Sequence, residues 1–242
     1  MTATITGISS MATRQLLAEL SAAWEQRADC RVSIEAVGGV DAARRVEAGE
    51  SFDLVVLALD ALDKLVAANR VVSGSTVNLV RSSVAACVRA GASRPDIGSE
   101  QALRLALQAA PSIGYSTGPS GVALMKLFQR WGLADELGRR IMQAPAGVPV
   151  GALVARGEVA LGFQQLSELM HLEGVDVLGP LPASVQITTT FSGGVCMGSP
   201  QGEAVRRMLD FMASPATADA KRRHGMEPAS AQPPVFIQGK TA

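Results

Sequence analysis

Residues 31–59 read RVSIEAVGGVDAARRVEAGESFDLVVLAL, and this stretch decides the fold. Arg31–Ala36 predicts a strand. After Gly38-Gly39, Ala42–Ala48 predicts a helix closed by Gly49, and Phe52–Leu59 predicts a continuous apolar strand. Upstream, Thr4–Thr6 predicts a strand, followed by a helix from about Ser10 to Arg27 with Leu16, Leu17, Leu20 and Trp24 on one face. The order is βαβαβ. Strands apolar on both faces, alternating with helices, imply a parallel sheet with right-handed crossovers and a ligand site beyond the carboxyl ends of the strands.

A second series begins after Val77–Val88, one long apolar run interrupted at Arg81-Ser82-Ser83. That run and the Gly-, Ser- and Pro-rich segment Gly91–Ser99 are expected to cross between two lobes. Ser112-Ile113-Gly114-Tyr115 then leads into a helix from about Val122 to Trp131 ended by Gly132. Further helices are predicted near Ala134–Met142 and Val150–Arg156, with strands at Val159–Gln164 and Val175–Leu178. Val185–Met197 is strand-like and returns the chain. Gly202–Ala213 and Pro215–His224 predict two closing helices. The expected division is 1–85 with 192–242 as lobe 1 and 86–191 as lobe 2.

At 242 residues the chain is long enough for one large α/β domain or two lobes of about 120 residues. With 48% hydrophobic and 18% charged residues it is globular rather than disordered. Aromatics at 4% and a balance of 22 basic against 22 acidic residues argue against nucleic acid as a partner. No apolar run approaches the ~20 residues of a membrane span. Met1 through Gly7 enter the first strand without a basic and apolar leader, so the chain as it stands is expected in the cytoplasm, or in the periplasm if a leader was removed. Cys30, Cys87 and Cys196 lack CxxC spacing, and His171 and His224 lack metal-ligand spacing, so no cofactor or metal is expected and the thiols are expected to be separate. Cys87 and Cys196 fall on the outgoing and returning crossings and could be neighbours.

Four Ser/Gly turns stand at strand-to-helix junctions: Gly7-Ile8-Ser9-Ser10, Gly38-Gly39, Ser116-Thr117-Gly118-Pro119-Ser120-Gly121 and Ala146-Gly147-Val148-Pro149. Helix starts leave backbone N–H groups unpaired and carry partial positive charge, so small residues there let an anion approach the backbone. Ordinary helix caps are the simpler account of any one of them. Together they nominate Ser9, Ser10, Gly38, Gly39, Ser120, Gly121, Gly147 and Val148 as binders of a small anion. Arg81, at the crossing, suits a bidentate clamp on a carboxylate, although a solvated or structural arginine is the commoner role; Ser82 and Ser83 bring hydroxyls to the same place, and hinge hydrogen bonding explains them equally well.

The segments Ala43-Arg44-Arg45-Val46-Glu47-Ala48-Gly49 and Phe52-Asp53-Leu54, with the tail from Phe211-Met212-Ala213-Ser214-Pro215 to His224-Gly225-Met226-Glu227-Pro228, resemble the periplasmic solute-binding proteins of ABC importers, most closely the molybdate-binding family. The likeness spans nearly the whole chain. It implies an α/β, two-lobed, type II periplasmic-binding-protein-like fold, each lobe a mostly parallel sheet flanked by helices, with the ligand in the cleft between. It also implies an importer permease as partner if the protein is exported. In that family the oxyanion is held by serines and backbone N–H groups, and Ser10, Ser120 with Gly121, and Gly147-Val148 fall at such positions. Two places depart from the pattern: Gly38-Gly39 stands where a second serine is expected, and Gln165 where a tyrosine is expected. Losing two hydroxyl donors argues against molybdate, and a glutamine amide suits an organic carboxylate better.

The stretch Phe163-Gln164-Gln165 through Ser167-Glu168, with Gly179-Pro180-Leu181-Pro182, looks more like the aconitate-isomerase-like paralogues of that family. Such chemistry moves an allylic proton and needs a base near the substrate carbon. Glu168, His171 and Tyr115 are the available bases, none inside a motif that specifies catalysis. Glu168 and His171 are expected at the surface, and Tyr115 either faces the cleft or packs on the third turn. Lys221-Arg222-Arg223 is expected to be a solvated face of the last helix.

Overall fold

The computed structural model describes residues 3–229. Residues 230–242, expected in the first lobe, and Met1-Thr2 lie outside the described residues. The elements run β1 (Ala3–Ser10), α1 (Arg14–Glu25), β2 (Cys30–Val37), α2 (Gly39–Glu47), β3 (Leu54–Ala58), α3 (Leu59–Ala67), β4 (Val77–Arg89), α4 (Glu100–Ala109), β5 (Ile113–Tyr115) and α5 (Pro119–Arg130). They continue as α6 (Ala134–Leu137), β6 (Ile141–Gln143), α7 (Val150–Ala155), β7 (Leu161–Gln165), α8 (Leu166–Leu169), β8 (Val175–Pro180), β9 (Thr188–Val195), α9 (Gly202–Ala213), α10 (Ala218–Arg223) and β10 (Met226–Pro228).

One curled sheet carries the whole chain, in the order β2-β1-β3-β9-β4-β7-β5-β6, with β8 and β10 also paired to β4. β1 lies parallel between β2 and β3, as the βαβαβ pattern requires. β5 lies parallel between β6 and β7. The strand that joins these halves is β4. Its residues Val77–Ser83 pair with β9 and its residues Val84–Cys87 pair with β7, both antiparallel. The crossing therefore happens inside a strand. The Gly91–Ser99 segment, expected to share in it, leads instead into α4, whose first turn is capped by Ser99 accepting from the Ala102 N–H.

Each half buries apolar side chains on both faces of its part of the sheet, which is why a central strand such as β3 (Leu54–Ala58) reads as an unbroken apolar run while the edge strand β2 alternates. In the first half, Leu16, Leu17 and Leu20 of α1 and Met208, Leu209 and Met212 of α9 cover one face. Ala42, Val46, Leu62 and Leu65 of α2 and α3 cover the other. In the second half the same is done by Leu103, Leu107, Leu124 and Phe128 on one side, and by Val150, Leu153, Val154 and Leu169 on the other. Asp53 of the Phe52-Asp53-Leu54 motif ties the first half together. Its carboxylate accepts from the Thr6 N–H at 2.9 Å and from Ser199 Oγ at 2.6 Å.

Four expectations need correction. Strand β1 continues to Ser10, and helix α1 begins only at Arg14, after one tight turn at Met11–Thr13. The helix expected over Ala134–Met142 stops at Leu137, and Ile141–Gln143 joins the sheet beside β5 because its backbone groups find a parallel partner there. Helices α3 and α4 were not anticipated: Leu59 continues an apolar run that reads as strand, yet begins a helix whose Leu62 and Leu65 face inward. Lys221, expected in solvent, is fully buried, its Nζ has no partner among the described residues, and burial pushes its pKa down to about 8. Only Arg222 and Arg223 of that run face water.

Cys87 and Cys196 are not neighbours. Each lies in a different core cluster, both are free, and burial raises each thiol to about 12.

Candidate functional site

Between the halves lies a cavity of about 740 Å³. The first half contributes Ser10 at the end of β1 and Gly38-Gly39 at the start of α2. The second contributes Ser116 and Ser120 at the start of α5 and Gly147-Val148 before α7. Gln165 from β7 and Thr189 and Phe191 from β9 close the wall between them. The halves approach closely here, since a Cβ placed on Gly38 would stand 3.9 Å from the Gly147 nitrogen.

The donors are arranged as strand ends and helix starts allow. Ser10 ends its strand extended and does not spend its hydroxyl on capping the following turn. A Cβ on Gly39 would meet Ser10 Oγ at 3.4 Å, so the missing side chain leaves that hydroxyl and the first α2 amides on one surface. Across the cleft, Ser116 Oγ lies 3.2 Å from Ser120 Oγ. That turn is tight. A Cβ on Gly121 would fall 1.8 Å from the Ser116 carbonyl oxygen, so only glycine permits the chain to fold back there. Neither α2 nor α5 has a side-chain cap on its first amides.

Of the nominated residues, Ser10, Gly38, Gly39, Ser120, Gly147, Val148 and Gln165 line the cavity. Ser9, Arg81, Ser82 and Gly121 do not. Ser9 is adjacent to Ser10 in an extended strand, so its side chain leaves by the opposite face and is wholly buried. Ser82 is turned toward Ser167, 3.5 Å between hydroxyl oxygens. Arg81, in register with Thr190 of β9 and Glu227 of β10, has a buried Nε with no partner among the described residues and does not line the cavity. Gly121 sits behind Ser120 in the fold-back.

Of the three nominated bases, Tyr115 packs in the second core and His171 stands exposed at the surface, 3.4 Å from the His224 ring; neither lines the cavity. Glu168 does. The surface position expected for it fails because α8 starts at Leu166 with no loop after β7, so its only turn stays at the sheet edge beneath the cleft. Glu168 is half-buried where it lines the cavity, and the desolvation this imposes pushes its pKa up to about 7 against the opposing effect of a 2.6 Å hydrogen bond donated by Gln164 Nε2. Gln164 is itself buried, and its Oε1 accepts from the Gly151 N–H at 3.0 Å.

Gln165, next along, donates from Nε2 to Thr189 Oγ1 at 2.9 Å, and its Oε1 is buried without a partner among the described residues. Ser116, Gln164 and Thr189 had not been singled out from the sequence. The first two lay inside quoted stretches, but nothing in their local pattern marked them apart from neighbours. The cavity rim carries Arg44, Lys64 and Lys126 against Glu47 and Asp60. Among the described residues no cluster of three or more His, Cys, Asp or Glu side chains could hold a metal, and no helix is long and apolar enough to cross a membrane.

Comparison with known proteins places this geometry. The family model for bacterial extracellular solute-binding proteins matches residues 5–227. A protein of Pseudomonas sp. named aconitate isomerase is 39% identical over 236 residues, covering 95% of this chain and 90% of that protein. Among solved structures, the periplasmic molybdate-binding protein of Azotobacter vinelandii superposes with a TM-score of 0.76 at 17% identity, covering 95% of this chain and 99% of that one. The sulfate-binding protein of Mycobacterium tuberculosis does so with a TM-score of 0.74 at 16% identity, covering 94% and 88%. At such identities these structures share the fold.

Proposed function

Because this chain belongs to the bacterial extracellular solute-binding proteins, we propose that it uses their interlobe cavity for chemistry, isomerising a small unsaturated polycarboxylate of the aconitate type. The observation that carries this reading is the half-buried Glu168 carboxyl, which lines the cavity and is raised to about 7. A carboxyl with that pKa is populated in both protonation states near neutrality, which is what an acid–base group must be to take a proton from carbon and give one back. The 39% identical relative named aconitate isomerase supports the choice of substrate.

The proposed step removes an allylic proton to Glu168, spreads the charge over the conjugated carbons and their carboxylate, and returns a proton to the far end of the allyl system. Electrons and atoms balance without a redox partner. Neutral donors aimed at the substrate carboxylates from Ser10, the α2 amides, Ser116 and Ser120 stabilise that charge. Arg44, Lys64 and Lys126 at the rim attract a polyanion into the cleft.

The test is to incubate the protein with cis- and trans-aconitate in deuterated water and follow both by NMR. Interconversion with deuterium uptake, lost in Glu168→Gln, is the expected outcome. Thermal stabilisation by aconitate without interconversion or label uptake would overturn the enzymatic reading and leave a carboxylate-binding protein. Such a binder is the second reading, favoured by the uncapped helix starts that open on the cavity from both halves.

A further inference from the structure

We propose that Gln164 is a positioning residue that decides which oxygen of Glu168 exchanges the proton. The inference rests on the reading of Glu168 as the proton-transfer group, and its own evidence is geometric.

The orientation of the Gln164 amide is fixed by its neighbours. The Gly151 N–H can only donate, so the atom 3.0 Å from it must be the amide oxygen, and the amide nitrogen is left to face Glu168. The reversed amide would set donor against donor at Gly151. Gly151 is the second residue of α7, where an N–H has no partner within its own helix, so the Gln164 oxygen satisfies a buried group that the fold otherwise leaves unpaired. Gly151 is itself held close to its neighbours: a Cβ there would meet Leu172 Cδ2 at 2.5 Å and Leu169 Cδ2 at 3.0 Å, so the segment that carries this amide has no room for a side chain. Gln164 is 3% exposed, so it has no solvent-facing alternative.

The consequence reaches the carboxyl. Gln164 Nε2 donates to Glu168 Oε2 at 2.6 Å, and a proton on Oε2 pointing toward Gln164 would oppose that donor. A hydroxyl oxygen is also the poorer acceptor of the two, so this donor at Oε2 favours the proton of the neutral acid on Oε1. The same oxygen is the one left free to accept when the group is ionised. Gln164 also stabilises the ionised form, since it donates to it, and so opposes the burial that favours the neutral form. The charged groups that face the cavity from the other elements are Arg44 and Glu47 on α2, Asp60 and Lys64 on α3, and Lys126 on α5, none of them hydrogen-bonded to Glu168 among the described residues.

The experiment follows the Glu168 carboxyl by 13C NMR in the full chain labelled at glutamate Cδ, assigned with Glu168→Gln, alongside the pH profile of kcat/KM for trans-aconitate. In Gln164→Leu the titration midpoint is expected to rise by roughly 0.5–1 pH unit, because a donor to the charged form is gone. The acid limb of the profile should rise with it, and kcat should fall about tenfold or more with KM little changed. Gln164→Glu keeps an acceptor for Gly151 and serves if the leucine variant does not fold. It sets two carboxyls side by side, so the pair should titrate in two steps with the upper one above the wild-type midpoint. A lowered Tm with an unmoved midpoint and profile would overturn the proposal. A moved midpoint in a protein that does not isomerise aconitate would sink the enzymatic reading and keep the positioning role. An isomerase whose midpoint ignores Gln164 would do the reverse.

Discussion

Gly38 and Gly147 meet across the cleft: a Cβ on the first would stand 3.9 Å from the backbone nitrogen of the second, an ordinary van der Waals contact. The backbone at Gly38 is one that any residue adopts, so only the space between the halves restricts what can stand there.

Gly38→Ala is therefore expected to fold and bind like the parent. Gly38→Phe should hold the halves apart, leaving Tm within a few degrees but raising the apparent Kd for trans-aconitate about tenfold, because a smaller fraction of molecules reaches the binding-competent arrangement. Calorimetric titration of both variants checks this, and equal affinity in the phenylalanine variant would contradict it.

Glu168 should make the protein less stable as pH rises. Its pKa in the folded protein is raised to about 7, so the folded state holds a proton that the unfolded chain releases near the ordinary carboxylate range. Stability from this group is fully present below the unfolded value and lost as pH climbs through about 7, with a ceiling on the order of 3 kcal/mol. Glu168→Gln should match the parent in urea denaturation at pH 5 and exceed it at pH 8, so that the most active form is not the most stable one.

Two glycines of the third turn should respond oppositely to the same change. Gly121→Ala forces a methyl into the Ser116 carbonyl and should cost about 3 kcal/mol or more, with loss of ligand binding as Ser120 is displaced. Gly118→Ala meets nothing within 4 Å and should stay within about 1 kcal/mol of the parent. Thermal denaturation of the pair decides it.

Lys221→Met should stabilise. The ammonium is buried with no partner among the described residues, and a thioether of similar length fills the same space without desolvating a charge. A gain of about 1–3 kcal/mol at pH 7 is expected in urea denaturation. A loss would mean that the Nζ has a partner on which the fold depends.

The sheet halves were legible in the sequence because strands buried on both faces leave a pattern no solvent face disguises, as Leu54–Ala58 shows. What misled was the boundary between elements. Ile141–Gln143 carries no strand signal of its own and becomes one only because β5 offers a free edge. Lys221 looks like part of a basic surface run because charge is visible in a sequence while helix rotation is not. The cavity was legible where it is built from small residues at helix starts, as at Gly39 and Ser120. It was illegible in the placement of Glu168, a nominated base whose position at the cavity depends on α8 following β7 with no residue between, and in that of Gln164, whose orientation depends on the Gly151 amide thirteen positions earlier. Ser9 and Ser10 could be told apart only once the strand was known to extend through both.

Strand β4 runs unbroken through both halves, but they are not completed together. The second is assembled from Val84 onward out of consecutive chain, whereas the first lacks its central neighbour β9 and its covering helix α9 until residues 188–213 have been made. The edge of β3 that β9 covers therefore stays without its neighbour until that later stretch of chain is available.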